Sequence, residues 1–301
     1  MRLHSYTLFI LSMMMGLLTQ AQSLDALKNQ LASITADKSA TVGVAIKGWN
    51  GDTLSIHGDQ PFPMQSVFKY HIGVVMLAHI DQGKFKLNQK VKVDEKELLP
   101  GLYSPLRDKN PQGGTFTIAQ LIEYAISVSD NVACDVLLCL LGGPEVVEAY
   151  FHQLAIKDIS IKINEEVMQG NWNMQYKNWT TPKATNEALQ LLYENKRPIL
   201  SKKSHAYLWK VMRNTSTGKM RLKGQLPKGT VVAHKTGWSG KNKELGVTAA
   251  VNDIGIVFLN KKQYFYISVF VTDSREDNET NEKIIADVCK AVWDYFELKS
   301  K

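Results

Sequence analysis

Ser66 and Lys69 stand three residues apart at the head of an apolar stretch with helical spacing, so their side chains share a face within reach of each other. A serine hydroxyl is a poor nucleophile until a base takes its proton. A lysine serves as that base only where burial or a neighbouring cation disfavours its ammonium form, and Lys235 of Lys235-Thr236-Gly237 is a cation that could act so. Ser66 also falls at a helix start, where free N–H groups and the helix dipole favour a developing oxyanion. Ser129-Asp130-Asn131 lies between two helical stretches, where such residues usually cap or turn the chain. There Ser129 suits a proton shuttle to a leaving nitrogen and Asn131 a hydrogen bond to a substrate amide, while Asp130 reads as holding the turn. Glu165-Glu166 stands between the second and third motifs. Each piece alone has a bland reading, as a cap, a surface lysine, a turn or a strand end. Together, in this order, they point to serine acyl-transfer chemistry.

The elements that must position these groups follow from periodicity and punctuation. The spacing predicts a first helix over Ser23–Ala36 and strands at Thr41–Lys47 and Thr53–His57, joined by an Asn50-Gly51-Asp52 turn. Helical patterns follow at Val67–Ile80, Ile118–Ile126, Val132–Leu141, Glu145–Leu154, Asn186–Glu194 and Ser204–Arg213. Strand patterns return at Thr230–His234, Leu245–Val251, Gly255–Phe258 and Tyr264–Val271, before a closing helix over Glu279–Leu298. Lys235-Thr236-Gly237 would end an edge strand, where a cation, a hydroxyl and a glycine permit docking of an extended, acid-bearing substrate. Strands at both ends with helices between predict a mixed α/β fold: one antiparallel sheet flanked by helices, plus an all-helical lobe. The expected division is an α/β domain of residues 22–61 and 214–301 and a helical domain of residues 62–213, with the site where they meet.

Residues 1–21 read as a secretory signal: Arg2 and His4, an apolar run from Thr7 to Leu18, and a small-residue cleavage site at Thr19-Gln20-Ala21. The expectation is a periplasmic or secreted protein with no stable membrane anchor. The net charge of +7 comes from scattered lysines rather than an aromatic-bearing basic segment, which argues against a nucleic-acid partner. No Cys-x-x-Cys or His-x-x-x-His spacing supports a metal, and no cofactor is called for. Cys134, Cys139 and Cys289 are odd in number and lie in apolar helical patterns, which predicts free, buried thiols.

From the first helix to the last, the chain resembles class A serine β-lactamases. Ser66-Val67-Phe68-Lys69, Ser129-Asp130-Asn131 and Lys235-Thr236-Gly237 are shared with the wider serine β-lactamase and D-Ala-D-Ala peptidase superfamily. The class rests on Glu165-Glu166-Val167-Met168-Gln169, which resembles the family's E-x-x-L-N loop, and on Asn178-Trp179-Thr180-Thr181-Pro182 at its end. The resemblance implies hydrolysis of penicillins and cephalosporins through an acyl-enzyme on Ser66, and hence antibiotic resistance. It implies Lys69 and Glu165 in proton transfer, with Glu165 activating the deacylating water; a register slip by one would exchange Glu165 and Glu166. Whether Lys69 or Glu165 is the acylation base stays open. Thr215 to Arg221 resembles the family's T-G-x-x-R stretch, which implies Arg221 beside Lys235 on the substrate carboxylate with Thr236. Tyr103 would wall the entrance, and the backbone N–H of Trp238 would complete the oxyanion hole with that of Ser66.

The departures bear on the glutamate loop. Asn178 stands where an Asp usually pairs with an Arg, and no Arg precedes Glu165. Gln169 replaces the Asn that helps hold the water, and Trp238 takes a place where a small residue is typical. Asp135 stands where an Asn is usual, a pattern similar to the extended-spectrum PER/VEB-type branch. Gln65, just before the nucleophile, leaves no cysteine for the bridge some carbapenem-hydrolysing relatives carry there. These changes predict a loop held by other means, with altered room for bulky cephalosporin side chains. The alternatives are a D-Ala-D-Ala peptidase, which needs no Glu165, and a non-hydrolysing β-lactam sensor, which needs a membrane span and signalling domain. A glutaminase of the same superfamily is more distant. The expected partner is a small-molecule β-lactam, and the expected state a monomer.

Overall fold

A computed structural model of the chain describes residues 23–300. The proposed signal lies outside the described residues. Ser23 accepts a hydrogen bond from the Ala26 amide and so starts helix α1 (Leu24–Ala36) where the sequence predicts it. Strands β1 (Thr41–Gly48) and β2 (Thr53–Ile56) follow, closed by a turn in which Gly51 takes φ +93°. A short strand β3 (Phe62–Pro63) leads through a 3₁₀ turn (Gln65–Val67) into α2 (Phe68–Asp81). Every residue of α2 from Phe68 to Ala78 is buried, which makes it the central helix of the helical core.

The middle of the chain adds a two-stranded ribbon, β4 (Lys90–Asp94) with β5 (Gly113–Thr117), around the short helix α3 (Pro105–Lys109). Helices α4 (Ile118–Ser127), α5 (Asn131–Leu141) and α6 (Pro144–Gln153) follow. Then come β6 (Ile159–Ser160), α7 (Glu165–Gly170), a 3₁₀ segment (Trp172–Lys177) and β7 (Trp179–Thr180), which pairs with both β6 and β3. Helix α8 (Pro182–Glu194) begins four residues before the predicted start, because Thr181 caps it and Pro182 fits its first turn. Helix α9 (Lys202–Arg213) precedes β8 (Val231–Trp238), β9 (Lys241–Asn242), β10 (Val247–Phe258) and β11 (Tyr264–Ser274), and α10 (Asn278–Lys299) closes the described chain.

The main sheet is antiparallel in the order β2-β1-β11-β10-β8, with β9 paired to β10. Alternation along β11 explains how one strand serves two cores. Phe265, Ile267, Val269 and Val271 pack with Leu27 and Leu31 of α1 and with Ile285 and Val292 of α10. Tyr266 and Phe270 join the helical core around α2. This is the mixed α/β arrangement the sequence predicts.

Two strand expectations change. The runs Leu245–Val251 and Gly255–Phe258 are one continuous strand, β10. Asn252 and Asp253 interrupt the apolar pattern, yet both are buried and hydrogen-bonded, so polarity there marks tertiary partners and not a turn. Likewise β8 does not end at His234: Lys235, Thr236, Gly237 and Trp238 are strand residues paired with Ile254 to Val251. It is an edge strand, as expected. The three thiols are free, but Cys139 is exposed rather than buried. It sits one turn after Asp135 on the outer face of α5, while Cys134 and Cys289 point into the cores.

Candidate active site

Ser66 lies in the 3₁₀ turn at the head of α2 and Lys69 in the first turn of the helix itself, and Lys69 Nζ donates to Ser66 Oγ at 2.9 Å. Ser66 therefore faces Lys69 rather than capping the helix, and the preceding Gln65 takes a strained φ of +46°. Lys69 is fully buried and has four oxygens around its ammonium group. Besides Ser66 Oγ they are Ser129 O at 2.9 Å, Asn131 Oδ1 at 2.5 Å and Glu165 Oε1 at 2.8 Å. An ammonium has three protons. One oxygen is always left without a donor, a geometry suited to moving a proton between neighbours. Glu165 is 1% exposed and accepts from the Ser66 hydroxyl at 3.4 Å, whereas Glu166 faces solvent. Of the two registers the sequence leaves open, the structure brings Glu165 to the serine.

Ser129 ends the turn between α4 and α5 with φ +63°, a left-handed conformation uncommon for a serine. Asp130 holds that turn, accepting from Ser104 Oγ, the Leu106 amide and the Ala133 amide. Ser129 Oγ accepts from Lys235 Nζ at 2.9 Å, which leaves the serine's own proton free to be donated. Burial, and then the charge of Lys69, hold the Lys235 ammonium well below the ordinary lysine range. Asn131 commits its Oδ1 to Lys69 and its backbone N–H to Tyr103 O, so its side-chain NH₂ remains for a ligand.

The opposite wall is β8. A Cβ on Gly237 would meet Met64 O at 2.5 Å, so only glycine lets the strand run this close to the nucleophile turn. Asn252 fixes the same approach from β10, donating to Pro63 O and Met64 O. Gly237→Ala is expected to push β8 from the turn, costing about 1–3 kcal/mol of stability and lowering kcat/KM; a urea melt beside steady-state kinetics checks both. Thr217 Oγ1 pairs with Thr236 Oγ1 at 2.6 Å. Arg221, which only the resemblance assigned to the pocket, is 6% exposed and lines the cleft. Its Nη1 donates to Gly237 O and Asn252 O and its Nε to Glu282, so the remaining amino group has no protein partner among the described residues.

Together these walls enclose a cleft of about 320 Å³ lined by Ser66, Ser129, Asn131, Thr236, Gly237 and Arg221. Tyr103 and Trp238, each over half exposed, and Gln169 line it as well. All twelve residues singled out from the sequence are thus in the cleft or, as with Lys69, Glu165 and Lys235, hydrogen-bonded to its serines. The sequence carried Thr217 only as part of the Thr215–Arg221 stretch, without a role, and missed Asn252 and Gly101. For Asn252 the available signal was a polar residue inside a β-rich apolar run.

The glutamate loop is held without an Arg–Asp pair. Asn164 caps α7, and both Asp135 oxygens accept loop amides, from Glu165 at 2.8 Å and Glu166 at 3.0 Å. Asn178 accepts from the Lys162 and Ile163 amides and donates to Ile163 O. Gln65 donates to Gln175, and Tyr176 to Asp273 of β11. Burial pushes the Asp135 carboxyl up to about 7, against the pull of the two amides and of nearby Lys69. A carboxyl raised on folding contributes stability that is full below its unfolded pKa near 4 and is lost as pH rises through about 7. Relative to Asp135→Asn, the wild type should lose up to about 4 kcal/mol across that window, read as urea midpoints at several pH values. A parallel pH dependence in the variant would contradict this.

Among the described residues no group of His, Cys, Asp or Glu could hold a metal ion, and no helix is long and apolar enough to cross a membrane. The family model described as "Beta-lactamase enzyme family" matches residues 26–296. Beta-lactamase VEB-1 of Pseudomonas aeruginosa is 46% identical over 290 residues, covering 96% of each chain. Extended-spectrum beta-lactamase PER-1 of the same organism is 46% identical over 286 residues, covering 93% of this chain and 90% of its own. The crystal structure of TLA-1 extended-spectrum beta-lactamase superposes with a TM-score of 0.87 at 46% identity, covering 90% of this chain and 98% of its own.

Proposed function

The chain belongs to the beta-lactamase enzyme family, and on that premise we propose that Ser66 is the nucleophile that a β-lactam carbonyl acylates. The protein is a class A β-lactamase, a hydrolase of the β-lactam ring, and its activity gives antibiotic resistance. The roles of its residues are our reading. Ser66 Oγ attacks the lactam carbonyl and loses its proton to the Lys69–Glu165 pair, both members of which reach it. The carbonyl oxygen, negative in the tetrahedral intermediate, is met by the backbone N–H groups of Ser66 and Trp238. The C–N bond breaks as Ser129 gives its proton to the nitrogen, with Lys235 behind it to restore that proton. The proton taken from Ser66 replaces the one spent by Ser129 and Lys235, so Glu165 is again a base. It deprotonates water, which attacks the ester carbonyl, and the proton passes to Ser66 Oγ as the C–O bond breaks and the opened product leaves.

Lys235, Thr236 and the free amino group of Arg221 hold the substrate carboxylate, and the Asn131 NH₂ holds its side-chain amide. Gln169 takes part in placing the water. Tyr103 and Trp238 flank the entrance, and with the loop anchored through Asp135 and Asn178 they support an extended range that includes bulky cephalosporins. The observation that carries hydrolysis over a peptidase or sensor reading is the buried Glu165 carboxylate at both Lys69 and Ser66. We also propose a two-lobed enzyme, residues 22–61 with 214–301 and residues 62–213, acting as a monomer since one chain supplies the whole cleft. Residues 1–21 support export to the periplasm or beyond. Nitrocefin assayed with the mature protein tests the reading. Turnover of many equivalents is expected, and a stop after one equivalent would favour the peptidase or the sensor.

A further inference from the structure

A second cavity, of about 710 Å³, opens between α8, α9 and the β1–β2 end of the sheet. It lies far from Ser66. Tyr264 in its wall pairs with Phe258, seven β10 residues beyond Val251, the partner of Trp238; at about 3.3 Å per residue that is roughly 23 Å. Aromatic rings form part of its wall, beside the polar side chains of Glu194, Lys196, His205 and Arg213. Tyr193 meets Trp209 and Tyr264 edge-on at 5.2 and 5.0 Å, and Trp49 lines the side nearest the hairpin. Trp209 is buried, while Trp49, Tyr193 and Tyr264 keep part of their surface in solvent.

The charge of this cavity is unbalanced. Lys196 and Glu194 neutralise each other at 2.7 Å. Arg213 has no carboxylate within ion-pair distance among the described residues; its guanidinium lies 5.6 Å over the Phe258 ring. Beneath the cavity, Tyr266 is 1% exposed and packs against Tyr193 and Tyr264. A surplus cation with a fork of donors, set beside aromatic walls, selects for a flat ring that carries an acid.

We infer that this cavity binds planar aromatic carboxylates, the ring against Trp49, Tyr193 and Tyr264 and the acid on Arg213. A neutral aromatic loses the Arg213 pair, and an aliphatic acid loses the ring contact. The site owes nothing to the catalytic groups.

The test is titration of the mature protein with 2-naphthoate, read from the tryptophan indole N–H resonances and assigned with Trp49→Phe. Saturable shifts of the Trp49 and Trp209 signals are expected, with Trp238 unmoved. Arg213→Gln and the neutral probe 2-naphthylmethanol should each weaken binding by about tenfold, with the variant's melting temperature unchanged. Absence of saturable shifts up to about 10 mM, an affinity indifferent to Arg213→Gln, or shifts at Trp238 in place of Trp49 would each overturn the assignment. Since no arm involves turnover, the result stands apart from the catalytic reading.

Discussion

Lys69→Met is expected to slow acylation by about 10³-fold, measured as the single-turnover rate of adduct formation with a penicillin. Two losses combine. The hydroxyl of Ser66 loses the nitrogen at 2.9 Å that can take its proton. Glu165, 1% exposed, loses the cation that pairs with it at 2.8 Å. A buried charge stripped of its partner is strongly disfavoured, so deacylation should fall together with acylation. Deacylation kept at the wild-type rate would mean that Glu165 works without Lys69 as its partner.

Glu165→Ala separates the steps. Lys69 keeps its place between Ser66 Oγ, Ser129 O and Asn131 Oδ1, so its nitrogen stays 2.9 Å from the serine hydroxyl and in its neutral form can still take the proton. Acylation should survive to a measurable extent, whereas the water that attacks the ester loses its base. The expected outcome is kcat lowered by about 10³-fold, with adduct accumulating. Glu166→Ala, whose side chain faces solvent, should change kcat less than about tenfold. An equal loss in both variants would mean that the loop moves as a unit and that Glu165 has no special place in it.

The sequence carried much of this site because its chemistry is local. Ser66 and Lys69 need only one helical turn to meet, and Asp130 needs only its neighbours to cap α5. Helix α2, a long apolar run buried on every side, and α10, whose apolar residues recur at helical spacing, were legible for the same reason. What was hidden depends on partners remote in the chain. Asn252 reads as a break in a strand until it is seen donating to Pro63 O, and Asp135 as a substitution until it is seen holding two loop amides. Arg221 could be placed by resemblance alone, because nothing local says that Gly237 O and Asn252 O will draw it inside. The two-residue strands β3, β6, β7 and β9 are too short for any period to register. Cys139 was misread because an apolar run does not say which face of α5 the protein covers.

Intact-mass spectrometry after acid quench, on wild type and Glu165→Ala mixed with a penicillin, decides whether Glu165 frees the acyl group from Ser66. The wild type should appear as free enzyme beside excess hydrolysed product. The variant should carry one added drug mass, persistent and mapped to the peptide with Ser66. A wild type that itself holds a lasting adduct, or a variant that turns over without one, would contradict that role of Glu165.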